Sequence, residues 1–159
     1  MTYQSLNPFS MRVRGYTLTE LMITLTVLAI IVAIAMPAYT AQMQKSRRAD
    51  ARNALLDIAG REERFLSIAN SYSNVPTDVG YTGGAWPAPP GGLAVFNNFY
   101  LVSVQVPDPN QPAVANSFLI TATPINAQVG DGSCTSFTLN QLGAQGSLGA
   151  ATPAVCWGL

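Results

Sequence analysis

Between Tyr16 and Met36 the chain carries one charged side chain, Glu20, in a run otherwise made of apolar and hydroxyl residues. At 1.5 Å per residue, about 21 residues make a helix of roughly 31 Å, enough to span a hydrocarbon core. Pro37 closes the run. Proline removes a backbone donor and clashes with the preceding turn, so a bend or loosening over residues 33–37 is expected. Beyond it Ala51, Ala54, Leu55, Ile58, Phe65 and Ala69 recur at three-, four- or seven-residue steps and form one apolar face. Arg48, Arg52, Asp57 and Arg61 lie opposite, with Asp57 and Arg61 at i, i+4, and read as a solvated or subunit-facing surface. Together these patterns predict one helical element from Tyr16 to about Asn70, roughly 80 Å long. Its first half needs a membrane or other copies of itself.

The pattern then changes period. Residues 71–98 contain Gly83-Gly84, Pro87, Pro89-Pro90 and Gly91-Gly92 and read as a long irregular connection, with Tyr81 and Trp86 as aromatic anchors for the domain's own core or for a partner. Phe99 to Val106 alternates, placing Tyr100, Val102, Val104 and Val106 on one face; Phe118 to Thr123 and Ser136 to Asn140 are further β-forming runs. Pro107-Asp108-Pro109-Asn110 and Gly130-Asp131-Gly132 separate them as turns. The fold class is α+β: a long N-terminal helix, apolar in its first half and amphipathic in its second, packed on three or four antiparallel strands. A meander fits the spacing.

Charge divides the chain. All eight Lys and Arg lie at or before Arg64, and residues 65–159 hold only Asp78, Asp108 and Asp131 as charged groups. Nucleic-acid binding draws most of its affinity from Lys and Arg on phosphates, so the carboxy-terminal region is a poor candidate for it. There is no histidine anywhere, and this region has no lysine, arginine or glutamate. Acid-base pairs and Ser-His or Ser-Lys systems therefore have no visible members, and an enzyme is not expected. No metal or cofactor site is expected either: the three aspartates sit among turn residues, and two cysteines without histidine do not complete a typical zinc site.

Arg12 and Arg14 precede Gly15-Tyr16-Thr17-Leu18-Thr19-Glu20, and the apolar stretch from Leu21 to Met36 follows. A basic leader, a small residue, a lone carboxylate and a membrane-length run occur in that order. This order resembles the processing site of type IV pilins and pseudopilins. A plain secretory signal is the first rival, with Leu21 to Val32 as its apolar core and Ala33-Ile34-Ala35 as cleavage site. It gives no reason for Glu20. The second is a simple anchor, but Lys45, Arg47, Arg48 and Arg52 outnumber Arg12 and Arg14 and would turn the head towards the cytoplasm. Further resemblance lies in Ser46 to Leu56, Arg61-Glu62-Glu63-Arg64-Phe65, and Gly130 to Cys134 through Thr138-Leu139-Asn140 to Cys156-Trp157. These segments are similar to minor pilins of the PilE type.

The resemblance implies a leader over residues 1–15, a transmembrane and filament-core helix over 16–37, and a pilin head over 38–159. Met11 would begin a five-residue leader, and a start at Met1 leaves the same basic segment. A prepilin peptidase would cut after Gly15 and methylate the amine of Tyr16, where most pilins have phenylalanine. Glu20 would meet the Tyr16 amine of a neighbouring subunit and set axial register. Pro37 would loosen the helix, although Ala29, where many pilins have glycine, favours helix. Implied partners are other pilins, the peptidase, the inner-membrane assembly machinery and, before assembly, the membrane. The implied role is pilus biogenesis with twitching motility and adhesion; a major pilin, a type II secretion pseudopilin and a secreted binding protein are the alternatives. With an export signal in front, Cys134 and Cys156 most simply form a disulfide in the periplasm or outside the cell.

Overall fold

The computed structural model describes residues 15–82, 93–95 and 99–159. The leader arginines and Trp86 lie outside the described residues. The chain divides into two units, Met1–Thr40 and Ala41–Leu159.

Helix α1 runs from Leu18 to Ala69 as one element, with Pro37 inside it. The expected loosening at residues 33–37 does not interrupt the helix. Alanines at 29, 33, 35 and 38 around this position favour helix strongly enough to carry it past one missing donor. In the first unit the large apolar side chains from Leu21 to Met36 are all exposed. An 18-residue window of α1 has mean hydropathy 2.5, long and apolar enough to cross a membrane.

In the second unit α1 buries Ala51, Ala54, Leu55, Ile58 and Glu62. Ala69, expected on this face, is exposed at the helix end. Among the described residues five strands follow in a meander, all antiparallel and in the order β1-β2-β3-β4-β5. They are β1 (Leu93–Val95), β2 (Tyr100–Gln105), β3 (Leu119–Pro124), β4 (Ser136–Asn140) and β5 (Gln145–Leu148). A short helix α2 (Pro153–Trp157) closes the sequence. The sheet is thus one strand larger at each end than the three central runs. β1 falls inside the stretch expected to be irregular. β5, Gln-Gly-Ser-Leu, has no apolar alternation to announce it.

Period 2 in the central strands puts Val102, Val104, Ile120, Ala122, Phe137 and Leu139 into one core with Leu55, Ile58 and Phe118. Register pairs Val102 with Ala122, Val104 with Ile120 and Ile120 with Leu139. Tyr100, Phe137 and Trp157 form a chain of edge-to-face contacts, with centroids 5.9 and 6.0 Å apart. That is the geometry the ring quadrupole prefers.

Candidate assembly site

Gly15 and Tyr16 precede α1 and both are exposed, Tyr16 by 84%. A Cβ added at Gly15 would meet nothing within 4 Å, so local packing does not demand glycine there. The Glu20 backbone N–H donates to Thr17 Oγ1 at 3.2 Å. Thr17 therefore caps the helix, and Glu20 stands three residues on, in the first turn, where the positive end of the helix dipole favours a carboxylate. The Thr17-x-x-Glu20 spacing is the sequence signal of this cap, so Glu20 has a local helix-start role besides being the lone charge of the apolar run. Further along, Thr24 and Thr26 donate their hydroxyls to the carbonyls of Leu21 and Met22, both at 2.8 Å. Bonded back in this way, they cost little in apolar surroundings.

In the head, Cys134 and Cys156 are joined by a disulfide with Cα atoms 5.8 Å apart, both side chains buried. It ties the segment before β4 to α2. Thr152 caps α2 through the Val155 N–H, and the Trp157 indole donates to the Gly146 carbonyl of β5 at 2.9 Å. Arg52 on α1 donates to the Trp157 carbonyl. Alongside, Arg48 grips Asp131 with two bonds of 2.6 Å. Asp131 also accepts from Gln128 Nε2 at 2.9 Å and from the Ser133 N–H at 3.2 Å. Burial pushes the Asp131 carboxyl up, but the Arg48 hydrogen bonds and charge outweigh it and hold the group below the usual carboxylate range. Arg48 and Arg52 are thus committed to the head's own structure, which corrects the expectation of a solvated or subunit-facing surface at those two positions, while Arg61 and Asp57 keep 35% and 41% of their side chains exposed. Arg61 pairs with Asp57 at 2.8 Å. Lys45 and Arg64 carry no ion pair among the described residues.

The segment 71–82 is fastened to α1 by four successive polar contacts. Tyr72 donates to Glu63 at 2.8 Å, the Ser73 N–H to Glu62 at 3.1 Å, Arg61 to the Val79 carbonyl at 3.3 Å, and Tyr81 to Asp57. The Arg61 guanidinium also stacks over the Tyr81 ring, 4.7 Å from its centroid. Tyr81 therefore serves the domain's own packing. Its hydroxyl, with Arg61, keeps the Asp57 carboxyl below its usual range.

Residues 37–138, more than half of the chain, match the family described as "Type IV minor pilin ComP, DNA uptake sequence receptor", and residues 10–36 match the prokaryotic N-terminal methylation motif. The chain belongs to the type IV pilin family. This pilin is 32% identical over 122 residues to the fimbrial protein EcpC of Eikenella corrodens, covering 75% of this chain and 67% of that one. It is 32% identical over 73 residues to the type IV major pilin protein PilA of Myxococcus xanthus. That match covers 46% of this pilin and 33% of the Myxococcus protein. A solved type IV pilin from Shewanella oneidensis is similar at 22% identity and a TM-score of 0.43, over 64% of this chain and 89% of its own.

Proposed function

We propose that this pilin is a minor subunit of a type IV pilus, held by its apolar helix in the inner membrane with the head in the periplasm and then built into the filament. The observation that carries the reading is the exposed apolar half of α1, interrupted only by Glu20 and preceded by Gly15, in one helix with a disulfide-closed head. A prepilin peptidase would cut between Gly15 and Tyr16 and methylate Tyr16. Glycine at 15 without any packing demand for it fits an enzyme's requirement rather than the fold's. Glu20, in the capped amino-terminal turn, would receive the Tyr16 amine of a neighbour, a contact that gains strength in a low-dielectric core. Its partners are then other pilins and the membrane assembly machinery, and its output is pilus biogenesis, twitching motility and adhesion. Deleting the gene and scoring surface pili and twitching tests this: loss of both, restored by the wild-type chain, supports a minor subunit. A major pilin would instead dominate the mass of sheared filaments.

Binding of DNA is a second reading, favoured by the family match over residues 37–138. The charge distribution speaks against it here. No Lys or Arg occurs after Arg64, and three of the arginines before it are held by internal partners. Titrating the full chain with duplex DNA at two salt concentrations separates the readings: tight, steeply salt-dependent binding would favour DNA uptake.

A further inference from the structure

Glu62 is a carboxylic acid on the apolar face of α1, with no exposed surface at all. One oxygen, Oε2, accepts the Ser73 N–H at 3.1 Å; the other, Oε1, is buried without a hydrogen-bond partner. A carboxylate in that position would carry a charge and an unsatisfied oxygen in the interior, which is costly. Its charged neighbours offer no relief. From the facing turn comes Asp78, which accepts the Ser73 hydroxyl at 2.6 Å, and from α1 itself comes Glu63, which accepts from Tyr72. The nearby cations are engaged elsewhere, Arg61 with Asp57 and the Val79 carbonyl, Arg64 with the Gly60 carbonyl. Phe118, which packs on Tyr72, adds no charge.

The geometry points to a proton-operated latch: Glu62 is protonated when the turn at Ser73–Gly80 lies against α1, and its ionisation releases that turn. Burial, with Asp78 and Glu63 adding to it, raises the Glu62 carboxyl to about 7, so the latch works close to neutral pH. The Ser73 N–H bond by itself favours the charged form, so release is driven by the cost of keeping that charge buried beside Asp78 and Glu63. Ser73 Oγ also accepts the Val75 N–H at 3.0 Å, so the residue that Glu62 holds organises the turn behind it. That turn supplies Asp78, Val79 and Gly80 as one wall of a pocket of about 250 Å³, opposite Arg61, Arg64, Phe65 and Ile68. Release of the turn therefore remodels an outer surface of the head.

Hydrogen exchange of peptides covering residues 71–82, measured on the full chain in detergent, tests it against Glu62→Gln at each pH. The glutamine mimics the protonated acid and cancels the intrinsic pH dependence of exchange. Opening of wild type relative to this variant should rise roughly 30-fold between about pH 5.5 and pH 8, as expected for a group moving between 4.5 and about 7. Asp78→Asn removes a like charge and should move the midpoint to lower pH. Carbon-13 NMR of the Glu62 carboxyl reads the midpoint directly, even where the glutamine variant folds poorly. Parallel exchange of wild type and Glu62→Gln at all pH values, or a Glu62 carboxyl titrating in the ordinary carboxylate range, would overturn the latch.

Discussion

Arg48 and Asp131 lie 83 residues apart, and the pair is almost wholly withdrawn from water, with side-chain exposures of 12% and 1%. Such a pair contributes little compared with an apolar replacement of the same volume, yet removing one member leaves a buried charge uncompensated. Asp131→Ala alone and Arg48→Met alone should therefore each cost about 3 to 5 kcal/mol of unfolding free energy, while replacing both partners by apolar residues of similar volume should cost clearly less. Chemical denaturation of the two single variants and the double variant checks this; a double variant that loses the full sum of the two single losses would show that the ion pair is not the element at stake. Neither role was legible locally. Gly130-Asp131-Gly132 looks like turn chemistry, which Asp131 also performs through the Ser133 N–H, and Arg48 sits on a stripe of charges that resembles a wet surface. Glu62 was hidden for the converse reason: it continues the spacing of Ile58 and Phe65 but breaks their polarity, so a search for apolar periodicity steps over it.

Elements with a strong period were readable, and those held by long-range contacts were not. The 3.6-residue repeat gave α1 to within a residue or two, and period 2 gave β2, β3 and β4. β5 pairs with β4 through backbone bonds, and its Gly146 lies so close to Thr138 that a Cβ would collide with that hydroxyl. No side-chain pattern encodes that. α2 is likewise a product of its surroundings: five residues cannot hold a helix in water unaided, and this one depends on the Thr152 cap and the disulfide. Cys134→Ser and Cys156→Ser should consequently be about equally harmful, on the order of 3 kcal/mol, with the double variant no worse than either. Thermal unfolding of the three proteins tests this, and two reactive thiols in native, unreduced chain would contradict it. At the other end, Glu20→Ala should leave processing intact while lowering incorporation into filaments. Because Glu20 also stands in the capped first turn, Glu20→Gln separates the roles: it keeps the capping geometry, and full incorporation of that variant would remove charge pairing from the account.

For the whole molecule, two sets of acids set opposite limits on stability. Glu62 has its folded-state value raised to about 7, so its contribution is complete below the ordinary 4.5 and disappears as pH rises through about 7. Asp57 and Asp131 are held below their ordinary 3.8, so what they contribute is present above that value and disappears as pH falls beneath it. The thermal midpoint should peak in mildly acidic solution, between these limits, and a maximum above pH 8 would refute the assignment. The mature chain should begin with N-methylated Tyr16; amino-terminal sequencing that starts at Met36 would establish a plain secretory signal. On the proposed role as a filament subunit, the protein has to polymerise in only one way. The outermost strand of a sheet can recruit a strand from the next molecule and seed fibres of the wrong kind. Here β1 and β5 are the two outer strands, and at β5 the helix α2 rests on the strand while the Trp157 indole occupies the Gly146 carbonyl. The disulfide that secures α2 thus acts as a guard of the β5 edge as well as a brace, and a reduced head is where amyloid-like stacking should begin.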